Sequence, residues 1–132
     1  MSNTVVVLVN GEVLAGSGGS TIPDQRRKAH NFAEALFPLL ASQLQVVVMH
    51  GNKPQVGFVL FRSELASHVL HPIPLDVCGA DTQGATGYLL SQAFLNVLHR
   101  YHVERLVMPV ITQTVVDGSG GKAEQKQVAV GP

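Results

Sequence analysis

The chain has 132 residues, enough for one domain whose core needs no disulfide or metal staple. Apolar residues make up 45% and mean hydropathy is +0.22, which excludes a disordered tail. Nine Lys and Arg balance nine Asp and Glu, so the basic excess of a nucleic-acid binder is missing.

Thr4–Val9 is a continuous β-branched run of the kind that forms a strand buried on both faces. Asn10 and Gly11 end it with a turn signal, and the glycine and serine stretch 15–20 reads as loop. Asp24 is placed to cap a helix over 24–42, with Phe32, Ala35, Leu36, Leu39 and Leu40 at helical spacing. A second buried strand is predicted over 45–49, which completes a strand–helix–strand unit. His50, Gly51, Asn52 and Lys53 form a turn, and Pro54 suits the first turn of a helix carrying Val56, Val59, Leu60, Leu65 and Val69 inward. After the rigid 71–74 loop, a helix is predicted over 79–100. Its interior Gly84 and Gly87 imply close packing or a nearby ligand. Strands are predicted over 105–108 and 111–116, around Pro109. The layout is α/β: an αβα sandwich with a mostly parallel sheet over residues 1–117, and a flexible polar tail over 118–132.

The lone cysteine, Cys78, allows no internal disulfide, and Met1 to Thr4 lack a basic secretory n-region, so a reducing, cytoplasmic setting is expected. No apolar stretch approaches the roughly 20 residues of a membrane span, so no membrane partner is expected. Charged residues are only 14%, against about 25% in ordinary soluble domains, a surface that tends to associate.

Ligands of open parallel sheets bind beyond the carboxyl ends of the strands. Asn10 and Gly11, the 50–57 segment, and Thr112 and Gln113 fall there. Gly51 and Asn52 turn the backbone so that N–H groups and a helix N-terminus face an anion, and Lys53 adds a positive charge. The plain alternative, a turn and nothing more, is the commoner outcome for such glycine turns. His50 is the most plausible functional histidine, though a neutral structural role fits as well. The pairs His68 with His71 and His99 with His102 lack the further ligands of a metal set, so no metal site is expected. Asp76 and Asp81 read as helix caps or loop braces, and Cys78 as a buried side chain. No catalytic residue is assigned.

The segment His50, Gly51, Asn52, Lys53, Pro54, Gln55, Val56, Gly57 resembles the His-Gly-Asn-Gly-Pro-Gln-Val-Gly motif of carbamate kinases, members of the amino acid kinase fold. The run from Pro74 through Leu75, Asp76, Val77, Cys78, Gly79 and Ala80, followed by Gln83, Gly84, Gly87 and Tyr88, is similar to a second signature of that family. Thr112 and Gln113, with Val116 and Asp117, resemble its next strand. The resemblance covers the N-terminal lobe only, in order over nearly the whole chain.

Carbamate kinases pass a phosphoryl group between ATP and carbamate. The resemblance implies that Asn10, Gly11, His50, Gly51, Asn52, Lys53 and Gln55, with Asp76, Gln83, Thr112 and Gln113 lining or bracing the pocket, bind a small anion of the carbamate or carbamoyl phosphate type. Three departures stand out. The family's Gly-Gly-Asn turn reads Val9, Asn10, Gly11; its third motif glycine is Lys53; and the lysine of its Lys-Pro-Ile-Gly-Pro stretch is replaced where Val128, Ala129, Val130, Gly131 and Pro132 stand. The expectation is a truncated carbamate kinase-like protein without autonomous kinase activity. ATP and Mg are expected only if a partner supplies a nucleotide-binding lobe, as in a split kinase. A homodimeric scaffold without ligand is the remaining alternative.

Overall fold

The computed structural model describes residues 3–15 and 21–115. Its elements run β1 (Thr4–Val9), α1 (Glu12–Ala15), α2 (Ile22–Leu40), β2 (Gln45–His50), α3 (Lys53–Leu65) and α4 (Leu75–Arg100). The two strands pair in parallel, in a register that sets Thr4 opposite Gln45 and Val9 opposite His50. The fold class is α/β with a parallel sheet, as the strand–helix–strand reading implied.

Side-chain alternation divides the sheet into two faces. Val46 and Val48 pack against a core built from Leu14 of α1, Ala29, Ala33 and Leu40 of α2, and Leu90, Ala93, Phe94, Val97 and Leu98 of α4. Small alanines on α2 let α4 approach closely, and the Phe32 and Phe94 rings meet at 6.0 Å in a tilted pair. The opposite face is open. Val6, Leu8, Val47 and Met49 are all exposed, Leu8 by 80%. The expectation of strands buried on both faces is corrected here, because among the described residues helices cover one face only.

The helix boundaries also differ from those read in the sequence. α2 begins three residues earlier than a cap at Asp24 would allow, because Thr21 is the N-cap residue. Its hydroxyl oxygen accepts from the Asp24 N–H at 3.3 Å and its O–H donates to the Asp24 carboxylate at 2.7 Å. α3 stops at Leu65, and Leu65 and Val69 are exposed rather than inward. The next residues turn, and Ser63 Oγ accepts from the Ile73 N–H at 2.7 Å, tying the connection to α4 down. α4 starts at Leu75 with Pro74 as its N-cap residue, so Asp76 lies in the first turn and Asp81 inside the helix; neither caps it.

Residues 105–108 and 111–115 are not strands. Val103 and Val107 pack on the core while Leu106 and Met108 point away, so a period of two survives. No ladder partner exists for this segment among the described residues, and Pro109 has no N–H to offer one. Its anchor is Arg105, whose guanidinium donates to the carbonyls of Ser42 at 2.9 Å and Leu44 at 2.7 Å. Of the loop predicted over 15–20, Ala15 instead ends α1, and residues 16–20, like the tail at 118–132, lie outside the described residues. No described helix is long and apolar enough to cross a membrane.

Candidate functional site

The carboxyl ends of β1 and β2 bring two sequence-distant turns into contact. Gly51 N–H donates to the Val9 carbonyl at 2.9 Å, extending the ladder one residue past the strands. This seats Gly11 against Gly51 so closely that a Cβ on Gly11 would lie 2.7 Å from the Gly51 carbonyl oxygen. Neither glycine has a positive φ, so what both supply is space. Asn10 lies beside them, exposed, with its side-chain oxygen accepting from the Glu12 N–H at 3.4 Å as α1 begins.

Asn52 is the N-cap residue of α3, but its side chain makes no capping bond. It reaches instead to α4, where its Nδ2 donates to Thr82 Oγ1 at 2.6 Å and to the Gly79 carbonyl at 3.3 Å. The first-turn N–H groups of α3 therefore receive no cap from the Asn52 side chain, and Pro54 has no N–H, so an uncapped helix end lies at the strand-end turns. Lys53, exposed at the first position of α3, forms no ion pair among the described residues. Gln55 sits further in and is 8% exposed; its Nε2 donates to the Gly11 carbonyl at 3.4 Å, while its Oε1 is buried without a partner. Gln55 thus braces the β1 turn from behind.

His50 ends β2. Burial holds its imidazole below the ordinary value of 6.5, against a smaller opposing hydrogen bond with the Gly51 backbone. Its Nδ1 is buried and unpartnered. The ring at this strand end is therefore biased to the neutral form.

The remaining expected site residues make no hydrogen bond to this cluster among the described residues. Gln83 and Thr112 hold each other: the Thr112 N–H donates to Gln83 Oε1 at 2.9 Å, and Gln83 Nε2 donates to the Thr112 carbonyl at 3.3 Å. Gln113 is exposed beside them. Asp76 is exposed in the first turn of α4, ahead of Gly79, and forms no hydrogen bond or ion pair among the described residues. Sequence reasoning misses Thr82, which carries no motif signal of its own, yet it is the 2% exposed hydroxyl that holds Asn52. Cys78 is buried, as expected, with its thiol toward the Ile73 carbonyl at 3.8 Å. Gly87 is needed for close packing, since a Cβ there would meet Pro109 at 3.1 Å, whereas Gly84 faces open space. Gly84 and Gln83 line an open hollow of about 400 Å³ with Tyr88, Leu95 and Ile111. A second hollow, about 480 Å³, lies between Leu95 and Leu106. The strand-end turns line neither. No group of three or more His, Cys, Asp or Glu able to hold a metal occurs among the described residues.

No protein-family model matches the chain. Individual relatives do. The carbamate kinase of Pyrococcus horikoshii is 35% identical over all of this chain, which covers 43% of that protein. The carbamate kinase-like protein YahI of Escherichia coli is 39% identical over 89% of this chain and 38% of its own length. The solved carbamate kinase from Giardia lamblia bound to AMP-PNP superposes with a TM-score of 0.90 at 30% identity, over 99% of this chain and 42% of that one. This chain is carbamate kinase-like. It has the amino acid kinase fold, as the motif at 50–57 implied, and it spans about 43% of the length of the curated carbamate kinases it matches. Within this carbamate kinase-like framework, the Gly11–Gly51 contact and the uncapped start of α3 occupy the strand-end position where open parallel sheets bind ligands.

Proposed function

We propose that this chain binds a small anion of the carbamate or carbamoyl phosphate type at the start of α3 and does not transfer phosphoryl groups unaided. The observation that carries the reading is the uncapped N-terminus of α3, seated on the Gly11–Gly51 contact with Lys53 beside it. Aligned peptide dipoles and free N–H groups favour negative charge there, and the diversion of Asn52 toward Thr82 leaves that end open.

Phosphoryl transfer depends on positioning and on several positive charges around the moving group. Among the described residues this site supplies one lysine and one helix end, which supports binding better than turnover. ATP and Mg then belong to a complete kinase, assembled with chain beyond these residues. In this reading the protein is a cytoplasmic binding component, a pseudoenzyme when alone.

Thermal unfolding of the purified chain with carbamoyl phosphate, inorganic phosphate and ADP in separate titrations tests this. A ligand held at 100 times its Kd stabilises by about 2.7 kcal/mol. A rise in Tm with carbamoyl phosphate that weakens in Lys53→Ala, and no rise with ADP, is the expected result. No response to either anion, or a response to ADP alone, overturns it.

A further inference from the structure

We infer that Lys53 makes the strand-end site select a doubly charged tetrahedral head, the phosphoryl group of an acyl phosphate, over a singly charged carboxylate-type anion such as carbamate. This rests on the anion-binding reading and adds which anion is held and by which residue. The carbamate kinase motif that 50–57 resembles has glycine where this chain has Lys53, so the charge belongs to this chain and not to the motif. Lys53 is the first residue of α3. Cα–Cβ bonds tilt toward the N-terminus of a helix, so a side chain at this position leans ahead of the helix, over its free end. The ion pairs among the described residues join Arg27 to Asp24, and His30 and Arg100 to Glu34, which leaves the exposed Lys53 ammonium uncommitted.

The helix end beneath it is also uncommitted. The Val56 N–H closes the first turn on the Asn52 carbonyl at 3.0 Å, which leaves the Lys53 and Gln55 N–H groups ahead of it without a partner among the described residues. Pro54 between them has no N–H. A second observation marks the same turn. Gln55 is buried and directs its amide back at the Gly11–Gly51 contact, where Nε2 donates to the Gly11 carbonyl. That carbonyl only accepts, which fixes the orientation of the amide and leaves Oε1 as the unpartnered atom. Among the described residues the buried side-chain polar atoms without a partner are this one and His50 Nδ1, and the two bracket 51–54. Such atoms are rare, and a bound group or local strain is needed to account for them. Helix N–H groups and an ammonium attract a ligand in proportion to its charge. Lys53 therefore favours a dianion twice as strongly, in free energy, as a monoanion, and its effect on affinity is squared. Of carbamoyl phosphate and carbamate, this site keeps the first.

Sulfate and methanesulfonate share a tetrahedral sulfonyl head and differ by one charge at every working pH, so they isolate the effect. Each is titrated into the 15N-labelled protein, with carbamoyl phosphate and acetate as a second pair, and the amide shifts of Gly51, Lys53 and Gln55 read the Kd. Constant ionic strength keeps screening equal. The amide shifts report the site itself, apart from the general stabilisation that sulfate gives any fold. Sulfate and carbamoyl phosphate are expected to bind more tightly than their singly charged counterparts. Lys53→Gln should weaken sulfate about tenfold and methanesulfonate about threefold, and Lys53→Arg should restore both. Arg62→Ala removes a charge in the last turn of α3, roughly 14 Å along the axis, and should change either Kd by less than about twofold. Lys53 is exposed, so its variants should melt within a few degrees of the parent. Equal losses for sulfate and methanesulfonate in Lys53→Gln overturn the inference and leave the anion reading standing. So does tighter sulfate binding in Lys53→Gly, which would show that the side chain crowds the site. No shift at these amides with any of the four ligands overturns both.

Discussion

Gly11 and Gly51 touch across the ends of two parallel strands, with room between them for hydrogen atoms and nothing larger: a Cβ on Gly11 would lie 2.7 Å from the Gly51 carbonyl oxygen and 3.2 Å from the Asn52 nitrogen. Both obstructing atoms are backbone, so relief requires moving the strand end and the start of α3 together. The placement of the uncapped start of α3 therefore depends on Gly11, 42 residues before Lys53 in sequence.

Gly11→Ala is expected to destabilise the chain by about 1–3 kcal/mol through overpacking. Gly51→Ala costs less, because its nearest obstacle is at 3.3 Å. Gly84→Ala goes the other way, by about 0.5–1 kcal/mol, since Gly84 lies inside α4 and its new methyl would have no atom within 4 Å. Urea unfolding of the three variants checks the order; equal effects at Gly11 and Gly84 would remove the steric argument.

Asn52 joins α3 to α4 through Thr82 and the Gly79 carbonyl. Asn52→Ala is expected to cost about 1–3 kcal/mol, because the buried Thr82 Oγ1 loses its donor, while the Gly79 carbonyl keeps the Thr82 hydroxyl at 3.0 Å. Asn52→Asp should cost more, since a carboxylate would then face the Gly79 carbonyl. Thr82→Val in the Asn52→Ala background should add little, and a double-mutant cycle measures that coupling.

His50 makes stability pH-dependent. Its folded-state value is depressed by burial, so the unfolded chain takes up the proton more readily. The contribution of the neutral ring is fully present above the ordinary value of 6.5 and is lost as pH falls through the depressed folded value. Melting temperature is expected to drop as the pH is lowered through this window, and His50→Gln should flatten the dependence there. An unchanged profile in the variant would show that burial of His50 is not its source.

Asp24 acts at lower pH. The Thr21 hydroxyl bond, with Arg27 at 2.9 Å as a further support, holds its carboxyl below the ordinary 3.8 despite opposing desolvation. That stabilisation is present above 3.8 and is lost as pH falls through the depressed value. Thr21→Ala should cost about 1 kcal/mol as a lost N-cap and weaken the acid-side dependence, which a comparison of pH-dependent melting curves reads directly.

Local pattern makes much of this chain legible. The β-branched run at Thr4–Val9, the helical spacing along α2 and the Pro54 helix start each reflect a neighbour-to-neighbour preference, and all three elements form. The motif at 50–57 carries the family because turn chemistry and residue order are properties of the chain itself. A helix start is lost from view where the capping residue lies outside the apolar pattern, as at Thr21. The 105–115 segment reads as strand and is not, because periodicity of two does not supply a hydrogen-bonding partner.

By itself, then, the sequence determined the parallel strand pair, its helices and the carbamate kinase-like ancestry, since these depend on spacing within a few residues. Tertiary structure alone decided that Gln55 braces Gly11 across 44 residues, that Asn52 spends its amide on Thr82 across 30 rather than on its own helix, and that Val6, Leu8, Val47 and Met49 face outward uncovered. Those outcomes depend on how elements approach one another in space, and side-chain direction at long separation is set by packing, which no local periodicity encodes.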